Sequence, residues 1–276
     1  MTTKPVNHAS ACGKTILSGE YAVVFGFPGI AVPTKERLKV AFKAMNNDCM
    51  TIQWSEVPEI WLNYTKKILN ELDGICRRRG KHSAPLQRKG ILHIESDLPL
   101  GKGMGSSTAL VIALCRYFLG NDCRPEALEI ENAVNPGNSG IDFAVIWEEK
   151  PILFRKGTAP RPINLPANIL KKSRLIDSGT PNEATPALVA WVRSRYESGD
   201  KRVCDAIETI GRCTERIVAG ESLKTVMRDH HRAQVALGVV TPEAQKIIAE
   251  IEKKGEAAKV LGAGARTGGG GMILEI

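Results

Sequence analysis

The stretch that most restricts the fold is LPLGKGMGSSTAL, residues 98–110, where three glycines and two serines lead into an apolar run that ends at Gly120. Glycines at 101, 103 and 105 let the backbone turn tightly and approach another group closely. A helix starting at Ser106 presents unpaired N–H groups and the positive end of its dipole to whatever the loop encloses. The stretch therefore predicts a strand, a tight loop and a helix from Ser106 to Leu119, the loop being either a phosphate cradle or a mere turn. Two common nucleotide loops are excluded. Lys102 lies among the glycines and not directly before a serine, unlike a Walker A lysine, and Ser106 stands where a dinucleotide-binding fingerprint has its third glycine.

Around this corner the chain mixes helices and strands. Short apolar stretches at Thr15–Leu17, Tyr21–Phe25, Ile30–Val32 and Leu38–Phe42 predict a β-rich opening. Trp61, Tyr64, Ile68, Leu69 and Leu72 recur at helical spacing, and an arginine-rich segment after Cys76 ends that helix. Residues 91–95 predict a strand, and a helix begins near Pro125 and runs to Val134 before the breaker-rich NPGNSG. Ile141–Trp147, Ile152–Phe154 and Arg174–Asp177 predict strands. Thr185 and Pro186 predict an N-cap and first turn for a helix through Tyr196, with further helices at Cys204–Val218 and Leu223–Leu237. Thr241 and Pro242 cap another that Gly255 ends, and the chain closes as a strand, a glycine-rich turn and a strand. No regular βαβ alternation is present, which predicts α+β architecture. The proline-rich segment 158–166 predicts a domain boundary, dividing residues 1–160 from 161–276.

The formal net charge is +8, but the basic residues are scattered, with only short clusters such as Arg77, Arg78, Arg79 and Lys81. That excess suits an anionic small substrate as well as it suits nucleic acid. Aromatic residues are 5% of the chain and no basic stripe is interleaved with them, which argues against a nucleic acid partner. Seven dispersed cysteines, at 12, 49, 76, 115, 123, 204 and 213, include no C-x-x-C pair and read as reduced thiols. The polar opening MTTKPVNHASACGK has no apolar core, and no apolar run is long enough to span a bilayer. A cytoplasmic protein without a membrane partner is the expectation.

Five residue positions could carry chemistry. Ser106 and Ser107 at a helix start can cap it and can also ligate Mg²⁺. Ala127, Ile130, Glu131 and Val134 form an i, i+3, i+4, i+7 set, which places the Glu131 carboxylate on an apolar stripe where it needs a partner such as a metal ion. Asp142 precedes the apolar run FAVIW, as a site residue at the edge of a rigid element or as a turn cap. Lys14 stands at the start of a strand, where it could neutralise phosphoryl charge, although most lysines do not. His230 falls on a helix stripe with Leu223, Val226, Met227, Ala233 and Leu237 and reads as a packed core histidine. No zinc-type spacing is present.

Taken together, ASACGKTILSGEYAVVFGFPGIAV, LPLGKGMGSSTAL and KVLGAGARTGGGGMIL resemble, in this order, the three motifs of the GHMP kinases, the superfamily of galactokinase, homoserine kinase, mevalonate kinase and phosphomevalonate kinase. Within it, SGIDFAV with Glu131 upstream, LIDSGTPNEATPALVAWVRSR and DHHRAQVALGVVTPEAQKI are most similar to mevalonate kinases. The resemblance implies a two-domain α+β fold, with an N-terminal ATP-binding domain of the ribosomal-protein type and a ferredoxin-like C-terminal domain. It implies phosphorylation of mevalonate to 5-phosphomevalonate by direct in-line transfer from ATP with Mg²⁺, a step of isoprenoid biosynthesis. Asp142 would be the base and Lys14 its neighbour. Gly101, Lys102, Gly103, Met104, Gly105, Ser106 and Ser107 would wrap the ATP phosphates, Ser96 would contact the nucleotide, and Ser107 and Glu131 would hold Mg²⁺. Glu20, Tyr21, Thr185 and Gly264 would line the acceptor pocket with Asp142, and a homodimer is the family's habit.

Four features depart from the mevalonate kinase pattern. The chain reads GEY at Tyr21 where those enzymes usually read GEH, and Asn135 in NPGNSG replaces a familiar histidine. The third motif carries an insertion, ARTGG, and Leu261 replaces a common hydroxyl residue. Phosphomevalonate kinase, another GHMP small-molecule kinase, and a non-catalytic sensor of the same fold therefore stay open as alternatives.

Overall fold

A computed structural model describes residues 8–46, 48–54, 57–80, 85–165 and 173–276. The ends of the proposed boundary segment and basic cluster, Pro166 and Lys81, lie outside these. The chain divides into two compact units, one of Met1–Gly13, Thr34–Leu100 and Ser106–Asn138, the other of Lys14–Pro33, Gly101–Gly105 and Ser139–Ile276. Strands β1 (Ala9–Ser18) and β2 (Gly29–Ala44), which pair, each contribute residues to both.

In the first unit, β2 pairs antiparallel with β4 (Gly90–Ser96) from Leu38↔Ser96 to Ala44↔Gly90, and β3 (Met50–Gln53) runs parallel to β4. Helices α1 (Glu59–Arg78), α2 (Ser106–Leu119) and α3 (Arg124–Val134) pack on one another. Leu110, Val111, Ile112, Ala113, Leu114 and Cys115 are all fully buried, so α2 is the central helix, apolar all round. α3 buries Ala127, Ile130, Glu131 and Val134, the face its spacing predicts.

In the second unit, β5 (Ile152–Phe154) pairs antiparallel with the start of β2, and β6 (Arg161–Pro162) with β5. A second sheet has the order β7 (Arg174–Asp177), β9 (Met272–Glu275), β8 (Ala258–Val260), all neighbours antiparallel. Five helices complete the unit: α4 (Ile141–Glu148), α5 (Thr185–Glu197), α6 (Lys201–Val218), α7 (Leu223–Leu237) and α8 (Pro242–Lys253). Val203, Ile207 and Ile210 of α6 meet Leu237 of α7 in one core, and Ile248 and Ile251 of α8 meet Val260 and Ile273 of the second sheet in another.

Four local expectations are corrected. Ile141–Trp147 lies within helix α4 and is no strand: five of its residues are buried, so no alternation distinguishes the two states, and Gly140 at φ 88° turns the chain into the helix. Tyr21–Phe25 is not a strand but a 3-10 turn, Ala22–Phe25, enclosed by Tyr21 at φ 64° and Gly26 at φ 85°. The two short strands expected around Pro33 are one, β2, because each half has its own partner strand. Thr185 is the first residue of α5 and not its cap; Ala184 stands at that position and no side chain caps the helix.

Candidate active site

The second unit brings parts of all three glycine-bearing segments together. The Lys14 N–H donates to the Met104 carbonyl at 3.0 Å, which seats the first segment on the 101–105 loop. Lys14 Nζ lies 3.1 Å from Asp142 Oδ1; the lysine side chain is 3% exposed and the aspartate 33%, so the carboxylate stays reachable. Asp142 stands in the first turn of α4, where a carboxylate complements the helix's positive end. Gly103, at φ 83°, passes so close to the third segment that a Cβ there would sit 2.8 Å from the Leu261 carbonyl oxygen. Gly105, at φ 77°, leaves room for the Lys14 side chain: a Cβ would sit 2.9 Å from Lys14 Cγ and 2.9 Å from Ile146 Cδ1. Lys102 is ion-paired with Asp177 at the end of β7, and that hydrogen bond holds the Asp177 carboxyl below the usual range.

In the first unit, Ser106 and Ser107 open α2 and Glu131 projects from α3. Glu131 is buried, and its Oε1 accepts from Thr108 Oγ1 at 2.8 Å and from Asn135 Nδ2 at 3.0 Å. The same Asn135 amide donates to Tyr64 Oη at 2.7 Å. Ser96 uses its hydroxyl locally, accepting from Leu98 N–H at 3.1 Å and donating to the Leu98 carbonyl at 3.2 Å.

Glu20, Tyr21, Thr185 and Gly264 all lie in the second unit, in very different settings. Glu20 is buried; its Oε1 accepts from the fully buried Lys259 ammonium, and His230 Nε2 lies 3.1 Å from Oε2. Burial alone would raise the Glu20 carboxyl, but Lys259 and then His230 outweigh it and hold the pKa at about 2. Burial pushes the His230 imidazole down, so it is the packed core histidine that its helix stripe predicted. Tyr21 is buried and donates its hydroxyl to the Ala263 carbonyl at 2.6 Å. Gly264, at φ 66°, lies so close to the Val239 carbonyl oxygen that a Cβ would sit 2.1 Å from it. Thr185 is exposed at the start of α5.

Four participants were not singled out from the sequence. Tyr64 reads as one more member of an apolar helix stripe, and Lys259 and Asp177 as unremarkable charges near strands. Glu183 binds the inserted segment of the third motif, accepting from Arg266 N at 3.2 Å, Thr267 N at 3.4 Å and Thr267 Oγ1 at 2.8 Å. For Glu183 a signal existed: an insertion into a glycine-rich loop needs something to satisfy its backbone N–H groups.

Residues 63–148 match the model of the GHMP kinases N terminal domain. A mevalonate kinase of Archaeoglobus fulgidus is 29% identical over 279 residues, covering 97% of this chain and 91% of that one. A mevalonate kinase of Thermococcus sibiricus is 27% identical, covering 97% and 88%. The crystal structure of the Methanococcus jannaschii mevalonate kinase shares the fold with a TM-score of 0.78 at 17% identity, over 98% of this chain and 89% of that one. With its three glycine-bearing segments in order, the chain carries a GHMP kinase N-terminal domain at residues 63–148 and is similar to mevalonate kinases along nearly its whole length.

Proposed function

We propose that the protein transfers the γ-phosphoryl group of ATP to the C5 hydroxyl of mevalonate, giving 5-phosphomevalonate and ADP. The observation that carries this reading is the Lys14–Asp142 pair, 3.1 Å apart and anchored to the glycine loop through Lys14 N–H and the Met104 carbonyl. Relatives that match over 97% of the chain bear the name mevalonate kinase, which supports the acceptor.

In the proposed reaction the acceptor oxygen forms a bond to the γ-phosphorus as the bond to the ADP oxygen breaks. Asp142 takes the hydroxyl proton, and the Lys14 ammonium offsets the charge on the moving phosphoryl group. Glycines at 101, 103 and 105 would let the loop backbone approach the phosphates closely. Ser107 and Glu131 are hard oxygen donors, one hydroxyl and one carboxylate in the same unit; this set fits Mg²⁺, and these two side chains would hold it. Bound there, Mg²⁺ would neutralise phosphate charge.

The reading is tested by an ADP-release assay with mevalonate, 5-phosphomevalonate, homoserine and galactose as acceptors, with the phosphate position of the product determined. Turnover with mevalonate to the 5-phosphate is expected. Silence with mevalonate and turnover with another acceptor overturns it.

Loop geometry gives a second check. In Gly105→Ala the new methyl meets Lys14 and Ile146 and shifts the ammonium, and a displacement of an ångström can cost roughly 10²-fold in kcat. Gly220→Ala, at φ 86° with nothing within 4 Å, carries the same left-handed strain in open space and should keep its activity. Equal losses in the two variants would mean that backbone strain, and not Lys14, explains the effect.

A further inference from the structure

We propose that Tyr64 and Asn135 are positioning residues that fix the orientation of the Glu131 carboxylate, one of the two side chains assigned to the cation. The proposal rests on the Mg²⁺ assignment above and extends it to groups that do not themselves ligate.

Asn135 is the hub. Its side-chain amide has two N–H groups: one goes to Glu131 Oε1 at 3.0 Å, the other to Tyr64 Oη at 2.7 Å. Two hydrogen bonds thus link the Tyr64 hydroxyl on α1 to the Glu131 carboxylate on α3. Asn135 follows Glu131 by four residues at the end of α3, so both lie on one face of the helix. Its own backbone is held, because its carbonyl accepts from Asn138 Nδ2 at 2.9 Å. Tyr64 is held by packing, its ring edge-on to Trp61 at 5.9 Å, with Trp61 in turn against Trp54 at 6.0 Å. The asparagine matters chemically: an amide supplies two donors at one position without a charge, whereas a neutral imidazole supplies one. A carboxylate oriented in this way offers a divalent cation a preset oxygen, and outer-sphere partners of that kind are worth about 10- to 100-fold in metal affinity.

Tyr64→Phe removes one oxygen and leaves the ring packed on Trp61. Binding of Mn²⁺ to the ADP complex, followed by electron paramagnetic resonance, should weaken about 10-fold or more, and the Mg²⁺ concentration giving half-maximal rate should rise in step. ADP binding in EDTA should stay the same, and kcat should recover at saturating Mg²⁺. Asn135→Ala should behave likewise. Unchanged Mn²⁺ affinity in both variants, or an equal loss of ADP binding in EDTA, overturns the proposal. Glu131→Gln separates the two levels: if it loses Mn²⁺ while Tyr64→Phe and Asn135→Ala do not, positioning fails and the metal assignment stands. If Glu131→Gln also keeps Mn²⁺, the metal assignment itself falls.

Discussion

Asp142→Asn is expected to lower kcat by about 10²- to 10⁴-fold, the usual contribution of a positioned general base. The substitution keeps the size of the side chain and its place in the first turn of α4, and an amide oxygen can still accept from Lys14 Nζ, which lies 3.1 Å from Oδ1. What the amide cannot do is take the proton of the acceptor hydroxyl. The loss should therefore fall on kcat, with little change in the affinity for ATP or in melting temperature. Phosphoryl transfer through a loose transition state leaves much of the catalysis to positioning and charge, so residual turnover above the uncatalysed rate is expected. Single-turnover measurement of phosphate transfer, with nucleotide affinity determined in parallel, checks this. A variant that turns over within about 3-fold of the parent while binding ATP normally would remove Asp142 from the base role, which is worth at least 10²-fold.

Lys259→Met is expected to destabilise the protein by about 3–5 kcal/mol, because it leaves a buried carboxylate without its cation. Glu20 and Lys259 are both buried and are bonded to each other, and they stand 239 residues apart in the chain, so the pair ties β8 to the segment that follows β1. A loss of that size lowers the melting temperature by roughly 10 °C in a protein of this length. The double variant Glu20→Gln with Lys259→Met should recover much of the loss, since the uncompensated charge is then gone. Urea denaturation of the two single variants and the double variant closes the cycle. A cost below about 1 kcal/mol for Lys259→Met would mean that the ion pair carries no structural weight. The pH dependence has a definite sign. With its folded pKa at about 2 against an ordinary 4.5, Glu20 contributes stability that is fully present above pH 4.5 and lost as pH falls toward 2. Lys259→Met should shrink that acid sensitivity, because Lys259 does most to hold the carboxylate ionised.

How far the chain could be read in advance depended on how local the deciding interactions are. The helix Ser106–Leu119 emerges with the limits its glycines suggested, because Gly105 and Gly120 bracket an apolar run that few other conformations suit. The Thr241 cap is present as expected, its side chain accepting from Ala244 N–H at 3.3 Å. Glu131 faces inward because its neighbours at helical spacing are apolar. Each of these depends on residues within a few positions of one another.

Other features had no local signature. Tyr21–Phe25 carries a strand-like composition, yet burial of Ala22 and Val23 and the left-handed turns at Tyr21 and Gly26 make it a 3-10 turn. Ile141–Trp147 is apolar without a period, and only its packing makes it a helix. Tyr64 and Asn135 are 71 residues apart, and neither position announces the hydrogen bond between them.

By itself, then, the sequence determined the order of the glycine-bearing segments, the kinship they express and the residues able to carry charge or protons, because residue chemistry and short-range spacing survive in any conformation of the chain. Tertiary structure alone decided which of those groups meet. It set Lys14 on Asp142, buried Glu20 on Lys259, turned the Tyr21 hydroxyl to the Ala263 carbonyl and linked Tyr64 to Glu131 through Asn135. The reason is physical: hydrogen bonds and ion pairs between distant residues form only once burial has removed water as the competing partner, and which partners remain is a property of the packed core.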